Sequence, residues 1–315
     1  MFKVVSSSPT FGKYSEDPVK TLLSNNCEIK MIDRDITSDE EKFANALKDV
    51  DALIVGVEKI TPTVLKHATN LKIIAKHGAG VDNIDMVETN KRNIIVANAP
   101  GANRHAVADY VFGLLLSVSR NIPSAVQDVK NNKWTTYIGS ELYNKTLGVI
   151  GTGRIGKEVV KRAQGFNMNV LCFDLYPELK LEAEGNCKYV ELEELLRLSD
   201  FITLHTDLNA NSKSFIGKKE LESMKSTAFI INTARGGIID ENALHHALKN
   251  NEIMGAALDV FENEPVTSST LLDLPNFIGT PHIAGYTKEA LREVGMITVT
   301  NVLNVLQGRE PEYKI

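Results

Sequence analysis

The stretch Gly148-Val149-Ile150-Gly151-Thr152-Gly153-Arg154-Ile155-Gly156 decides the fold. An apolar run, Thr146–Ile150, leads into it and an amphipathic helical pattern, Gly156–Ala163, leads out. A second apolar run, Asn169–Phe173, follows and ends in Asp174, 18 residues beyond Gly156. A lone G-x-G-x-x-G is a weak signal. A strand before it, a helix after it and an acid at the end of the next strand make the full fingerprint of a dinucleotide-binding βαβ unit. The chemistry follows from size: Gly151 permits the tight turn, Gly153 lets the backbone approach a pyrophosphate, and Gly156 lets helix and strand pack closely. The N–H groups around Arg154 and Ile155 then face the pyrophosphate at a helix N-terminus. Asp174 can accept hydrogen bonds from the adenosine ribose and would repel a 2′-phosphate, and Leu175, Tyr176 and Pro177 supply no cation. NAD rather than NADP is therefore the expected cofactor. A glycine-rich turn that binds nothing, and a plain strand-end carboxylate at Asp174, are the bland alternatives.

The same rhythm runs along the chain. Strand-like runs include Met1–Val5, Ala52–Val57, Leu71–Ala75, Asn93–Ala97, Thr146–Ile150, Asn169–Phe173, Phe201–Leu204, Ala228–Ile231, Met254–Leu258 and Phe277–Ile278. Helical patterns such as Glu191–Leu198 and Glu241–Leu248 alternate with them. Strands with little period-2 alternation, separated by helices, indicate parallel sheets buried on both faces, an α/β architecture. Two long helical stretches, Ala102–Arg120 and Lys288–Leu306, flank the central block. They are read as carrying the chain into and out of an inserted domain. One domain is then expected from 1–100 plus 288–315, and the other from 101–287.

The chain has 315 residues, enough for two domains, and 43% hydrophobic residues supply two cores. A formal net charge of -5 offers no basic field for nucleic acid. No run of about 18 apolar residues is present to span a membrane. Cys27, Cys172 and Cys187 are widely spaced and lack any Cys-x-x-Cys pairing, which argues against a disulfide framework and a metal site. With no apolar leader at the N-terminus, a cytoplasmic protein with reduced thiols is expected.

Three side chains follow apolar strands in the second half: Arg235 in Asn232–Gly237, Glu264 in Ala257–Pro265 and His282 in Pro281–Gly285. Arginine's planar fork suits a carboxylate. Histidine suits proton transfer near neutrality, and a carboxylate beside it orients the ring. Carboxyl ends of parallel strands are where open α/β sheets bind ligands. Taken singly, a surface arginine, a turn carboxylate and a satisfied buried histidine remain open readings.

At these residues the sequence resembles the D-2-hydroxyacid dehydrogenase family, in its short phosphoglycerate-dehydrogenase-like form. The matching motifs are Gly151–Gly156, Asn232–Gly237, Ala257–Pro265, Pro281–Gly285, Gly78–Asp85, Asn98–Gly101 with Val107-Ala108-Asp109, and Trp134. The resemblance covers roughly residues 50–307. It implies two Rossmann-like domains with parallel sheets, the cofactor domain inserted in a flavodoxin-like substrate domain, and an active site in the cleft. It implies that Arg235 holds the substrate carboxylate and carbonyl, that His282 transfers the proton and that Glu264 pairs with His282. It further implies Asp259 near the nicotinamide with Thr233 and Ala234, Thr206 on the adenosine side, and the backbone of Ala79 and Gly80 on the substrate carboxylate. A homodimer built through the cofactor domain is implied too. One departure is visible: where the family has proline two residues after the histidine, this chain has Asp207 after His205-Thr206.

The expected activity is thus hydride transfer between NAD and a small 2-hydroxy or 2-oxo acid, with 3-phosphoglycerate first. Hydroxypyruvate or glyoxylate reduction is the alternative, and an NAD-sensing co-repressor is the reading from a different class. Lys76, before the Gly78–Gly80 loop, could meet a substrate phosphate or second carboxylate, or be an exposed strand-end lysine. His245 and His246 are adjacent on one helical pattern and point to different faces, which disfavours a metal site.

Overall fold

A computed structural model describes all residues, 1–315, and divides them into two compact units: residues 1–103 with 286–315, and residues 104–285. The strands are β1 (Phe2–Ser6), β2 (Cys27–Met31), β3 (Ala52–Val55), β4 (Ile73–Lys76), β5 (Ile95–Ala97), β6 (Thr146–Ile150), β7 (Asn169–Phe173), β8 (Lys188–Tyr189), β9 (Phe201–Leu204), β10 (Phe229–Asn232), β11 (Gly255–Leu258) and β12 (Phe277–Gly279).

The first unit holds a parallel sheet in the order β2-β1-β3-β4-β5, the flavodoxin-like order. The core strand Ala52-Leu53-Ile54-Val55 is buried on both faces. Leu53 and Val55 pack with Phe43, Leu47 and Leu65, while Ala52 and Ile54 pack with Val299, Val302 and Leu306 of the helix Lys288–Leu306. Each such aliphatic side chain contributes roughly 1.5–3 kcal/mol by leaving water. β3 stops at Val55, short of the expected Val57, because the Gly56 N–H turns to the Glu58 carboxylate at 3.0 Å. β2 escapes the sequence reading because Glu28 and Lys30 interrupt its apolar run at the sheet edge.

The second unit holds a parallel sheet in the order β8-β7-β6-β9-β10-β11-β12. The strand order reverses between β6 and β9, and open sheets of this kind bind ligands at the carboxyl ends beside such a switch point. The helix Arg104–Ser119 covers one face through Val111 and Leu115, packed on Leu147, Val149 and Ile231. Helices Leu192–Leu198 and Glu241–Lys249 cover the other through Leu195, Leu244 and Leu248 on Ile202, Ile230 and Leu258. The architecture is therefore α/β with two Rossmann-like parallel sheets, one unit inserted in a flavodoxin-like other. No helix is long and apolar enough to cross a membrane.

Candidate active site

β6 leads into the glycine loop. Gly151 has φ +92, and a Cβ there would lie 2.5 Å from the His205 carbonyl oxygen. A Cβ on Gly156 would overlap the Gly151 carbonyl, so strand and helix meet backbone to backbone. Gly153 caps the helix Arg154–Gly165 without a side-chain hydrogen bond, and nothing lies within 4 Å of where its Cβ would be. The first-turn N–H groups, including those of Arg154 and Ile155, are left for an anion. Asp174 stands at the end of β7. Its Oδ2 accepts from Thr152 N at 2.6 Å and Thr152 Oγ1 at 2.9 Å, and its Oδ1 accepts from Tyr176 N at 2.9 Å. An uncapped helix start, an open glycine and a fixed acid at the next strand end fit a dinucleotide.

The switch-point neighbours complete this edge. His205 donates its backbone N–H to Ile150 O at 2.7 Å, and Thr206 follows beside Gly151. Burial lowers the His205 imidazole to about 3. Thr233, 8% exposed at the end of β10, has a buried Oγ1 with no partner. Ala234 donates its N–H to Asn232 Oδ1 at 2.9 Å, and Asn232 Nδ2 donates to Arg235 O at 2.8 Å, so one asparagine shapes the turn that presents Arg235.

His282 Nδ1 lies 2.7 Å from Glu264 Oε2, and Glu264 Oε1 accepts from Phe261 N at 2.9 Å. Partial burial pushes the Glu264 carboxyl up, but the His282 bond, the Phe261 N–H and the charges of His282 and Arg235 together hold it below its ordinary value. Arg235, Glu264 and His282 are thus brought to one edge. His282 has φ +56, which costs a non-glycine residue on the order of 1–3 kcal/mol unless its surroundings enforce it. Asp259 enforces it. Its carboxylate is 0% exposed and accepts from Thr280 Oγ1 at 2.6 Å, Ile283 N at 3.0 Å and Ala284 N at 2.8 Å, on both sides of His282. Sequence reading missed this clamp; the only signal was an acid directly after a buried strand.

In the first unit, Ala79 and Gly80 lie in the loop after β4. The Ala79 carbonyl accepts from Asn98 Nδ2 at 2.6 Å, and the Gly78 carbonyl accepts from Ala99 N at 2.8 Å. Lys76 is 9% exposed; its Nζ donates to Asn83 Oδ1 at 2.7 Å and to the Gly56 carbonyl. Burial, and then the Lys76 charge, lower the neighbouring His77 to about 4. Its Nδ1 lies 3.0 Å from Ser8 Oγ. His245 and His246 lie on the helix Glu241–Lys249, and His246 faces Glu252 at 3.4 Å. No cluster of three or more His, Cys, Asp or Glu side chains could hold a metal.

Comparison with known proteins agrees with this fold. The model of the D-isomer specific 2-hydroxyacid dehydrogenase NAD binding domain matches residues 112–284. D-3-phosphoglycerate dehydrogenase of Methanocaldococcus jannaschii is 44% identical over 277 residues, 87% of this chain and 53% of that protein. Glyoxylate reductase of Thermococcus litoralis is 41% identical over 275 residues, 84% of this chain and 83% of that protein. Among solved structures, D-lactate dehydrogenase from Aquifex aeolicus complexed with NAD and lactic acid has TM-score 0.83 and 31% identity, over 97% of this chain and 96% of that one. The fold and site define a dehydrogenase-type nucleotide-binding protein. The chain belongs to the D-isomer specific 2-hydroxyacid dehydrogenase family, and its second unit carries that family's NAD-binding domain. It spans a little over half the length of the curated phosphoglycerate dehydrogenases it matches.

Proposed function

We propose that this chain is an NAD-dependent oxidoreductase acting between a small D-2-hydroxy acid and its 2-oxo acid, with 3-phosphoglycerate the leading substrate. The observation that carries the reading is the 2.7 Å contact of His282 Nδ1 with Glu264 Oε2, under the charge of Arg235, on a sheet with a complete dinucleotide loop. Hydride exchange at the carbinol carbon is the chemistry that NAD supplies when bound. The chain's own residues do the rest. Glu264 accepts from the His282 ring at Nδ1 and leaves Nε2 for the substrate oxygen. Nε2 takes the hydroxyl proton in oxidation and returns it in reduction. Arg235 pairs with the substrate carboxylate and polarises the adjacent carbonyl. Ala79 and Gly80 are proposed as backbone donors to the same carboxylate. Gly151, Gly153, Arg154, Ile155 and Gly156 hold the pyrophosphate, Asp174 and Thr206 the adenosine side, and Thr233, Ala234 and Asp259 border the nicotinamide.

Reduction of hydroxypyruvate or glyoxylate is the second reading. It is favoured by the Lys76 ammonium, which is buried and engaged by Gly56 and Asn83 where a phosphate ligand would be expected to reach outward. NADH consumption with 3-phosphohydroxypyruvate, hydroxypyruvate, glyoxylate, pyruvate and oxaloacetate separates the two. A rate confined to the phosphorylated acid supports the first; preference for an unphosphorylated acid supports the second. No turnover on any of them, with NADH bound, would sink both and favour a co-repressor.

A homodimer is proposed as well. The helix Ile122–Lys130 buries none of its residues, and with the segment after it exposes Val126, Val129, Trp134 at 92%, Ile138 at 87% and Tyr143. Several large apolar side chains left exposed along one segment support a partner surface there. Mass measurement in solution tests it, and Trp134→Ala should shift the balance toward monomer. Three free cysteines support a reducing, cytoplasmic setting.

A further inference from the structure

Asp174 does not stand alone. Glu178 N donates to Tyr189 Oη at 3.1 Å, Tyr189 Oη donates to Thr152 Oγ1 at 2.8 Å, and Thr152 Oγ1 donates to Asp174 Oδ2 at 2.9 Å. The direction is forced. A carboxylate only accepts, so the single Thr152 hydroxyl hydrogen points at Asp174, and Tyr189 must supply the hydrogen between the two hydroxyls. Thr152 N also donates to Oδ2, so both of that oxygen's lone pairs are taken. Oδ1 receives only Tyr176 N and keeps one acceptor direction. Thr152 is 3% exposed, and the half-buried Tyr189 leans on the core that includes Val170 and Cys172, which restricts the relay. Tyr189 comes from β8, paired in register with Cys172 two residues before Asp174.

We propose that Tyr189 and Thr152 are positioning residues for cofactor choice. Together they lock the Asp174 carboxylate with Oδ1 outward, so that it accepts from the adenosine ribose and cannot turn aside for a 2′-phosphate. The proposal rests on NAD being the cofactor and deepens that reading. A free aspartate could rotate its charge away from a phosphate or toward solvent. One held by three donors and backed by a half-buried phenol keeps its second oxygen available to a ribose hydroxyl. Partial burial, with the nearby charge of Asp174, raises the Tyr189 phenol against the opposing effect of its bond to Thr152, so it stays a donor across the physiological range.

The test is a double-mutant cycle of Tyr189→Phe and Thr152→Val in the full chain, read by calorimetric binding of ADP-ribose and of its 2′-phosphate, with steady-state kinetics beside it. Loss of one neutral hydrogen bond should weaken ADP-ribose about three- to tenfold. KM for NADH should rise with kcat unchanged, and the preference for ADP-ribose over its 2′-phosphate should narrow. In the Thr152→Val background, Tyr189→Phe should add nothing, because it acts through that hydroxyl. Unchanged ADP-ribose binding in Tyr189→Phe, or additive losses in the double variant, would overturn the relay. Failure of the unsubstituted chain to bind ADP-ribose would instead remove the cofactor reading beneath it.

Discussion

Gly236 packs so closely on Phe261 that a Cβ at Gly236 would overlap the Phe261 carbonyl. This seam joins the turn carrying Arg235 to the segment whose Phe261 N–H holds Glu264. The cation and the carboxylate are therefore set relative to each other by backbone contact.

Gly236→Ala must push that seam apart. We expect a fall in kcat/KM of tenfold or more together with a lower melting temperature, because the clash is with backbone and cannot be relieved by a rotamer. Activity at the unsubstituted level in a folded variant would show that the seam tolerates displacement.

His282→Asn should abolish turnover and keep NADH binding, since the cofactor loop lies on a different strand connection. Glu264→Gln removes the carboxylate that holds the His282 ring at Nδ1, so kcat should fall while NADH binding is kept. Stopped-flow rates across pH check both, and turnover by His282→Asn would refute the proton-transfer role.

Asp259→Asn keeps the shape but replaces an acceptor that serves three donors. The loop Thr280–Ala284 then loses support for the positive φ at His282. A buried charge-assisted bond is worth about 1.5–3 kcal/mol, so a loss of roughly ten- to a hundredfold in kcat is expected. NADH affinity should change less than kcat; a loss confined to NADH binding would place Asp259 at the nicotinamide alone.

Acid should destabilise the fold before the carboxylates titrate. His77 and His205 sit at about 4 and about 3 when folded, below the roughly 6.5 of an unfolded histidine. Between those values the unfolded chain binds more protons, so stability falls as pH drops from about 6.5, by up to about 1.4 kcal/mol per pH unit for each group. Above pH 7 both are neutral in either state and the effect is absent. Urea midpoints at pH 7.5 and 5 for the unsubstituted chain and His205→Gln test this. An equal loss in the two proteins would mean that His205 is not the responsible group.

Much of the second unit was legible because its central strands, β6, β9, β10 and β11, are buried on both faces and even β7 keeps an apolar run. Thr146–Ile150, Asn169–Phe173 and Phe201–Leu204 read as unbroken apolar runs and form strands with those bounds. β8 was not legible: two residues, Lys188 and Tyr189, carry no pattern. Tyr189 was missed for the same reason, since its link to Thr152 spans 37 positions and depends on strand order. Lys76 read as open between a surface and a ligand role because its partners, Gly56 and Asn83, lie on separate loops.

The parallel α/β class, the glycine-rich loop and candidate residue types for acid–base work are legible in the chain alone, because periodicity, glycine size and charge are local properties. The folded chain alone shows that Glu264 meets His282 at 2.7 Å, that Asp259 clamps the loop carrying His282 and that Tyr189 backs Asp174 through Thr152. Those contacts join strand ends that are distant along the chain, and parallel pairing of the sheet is what carries them to one edge.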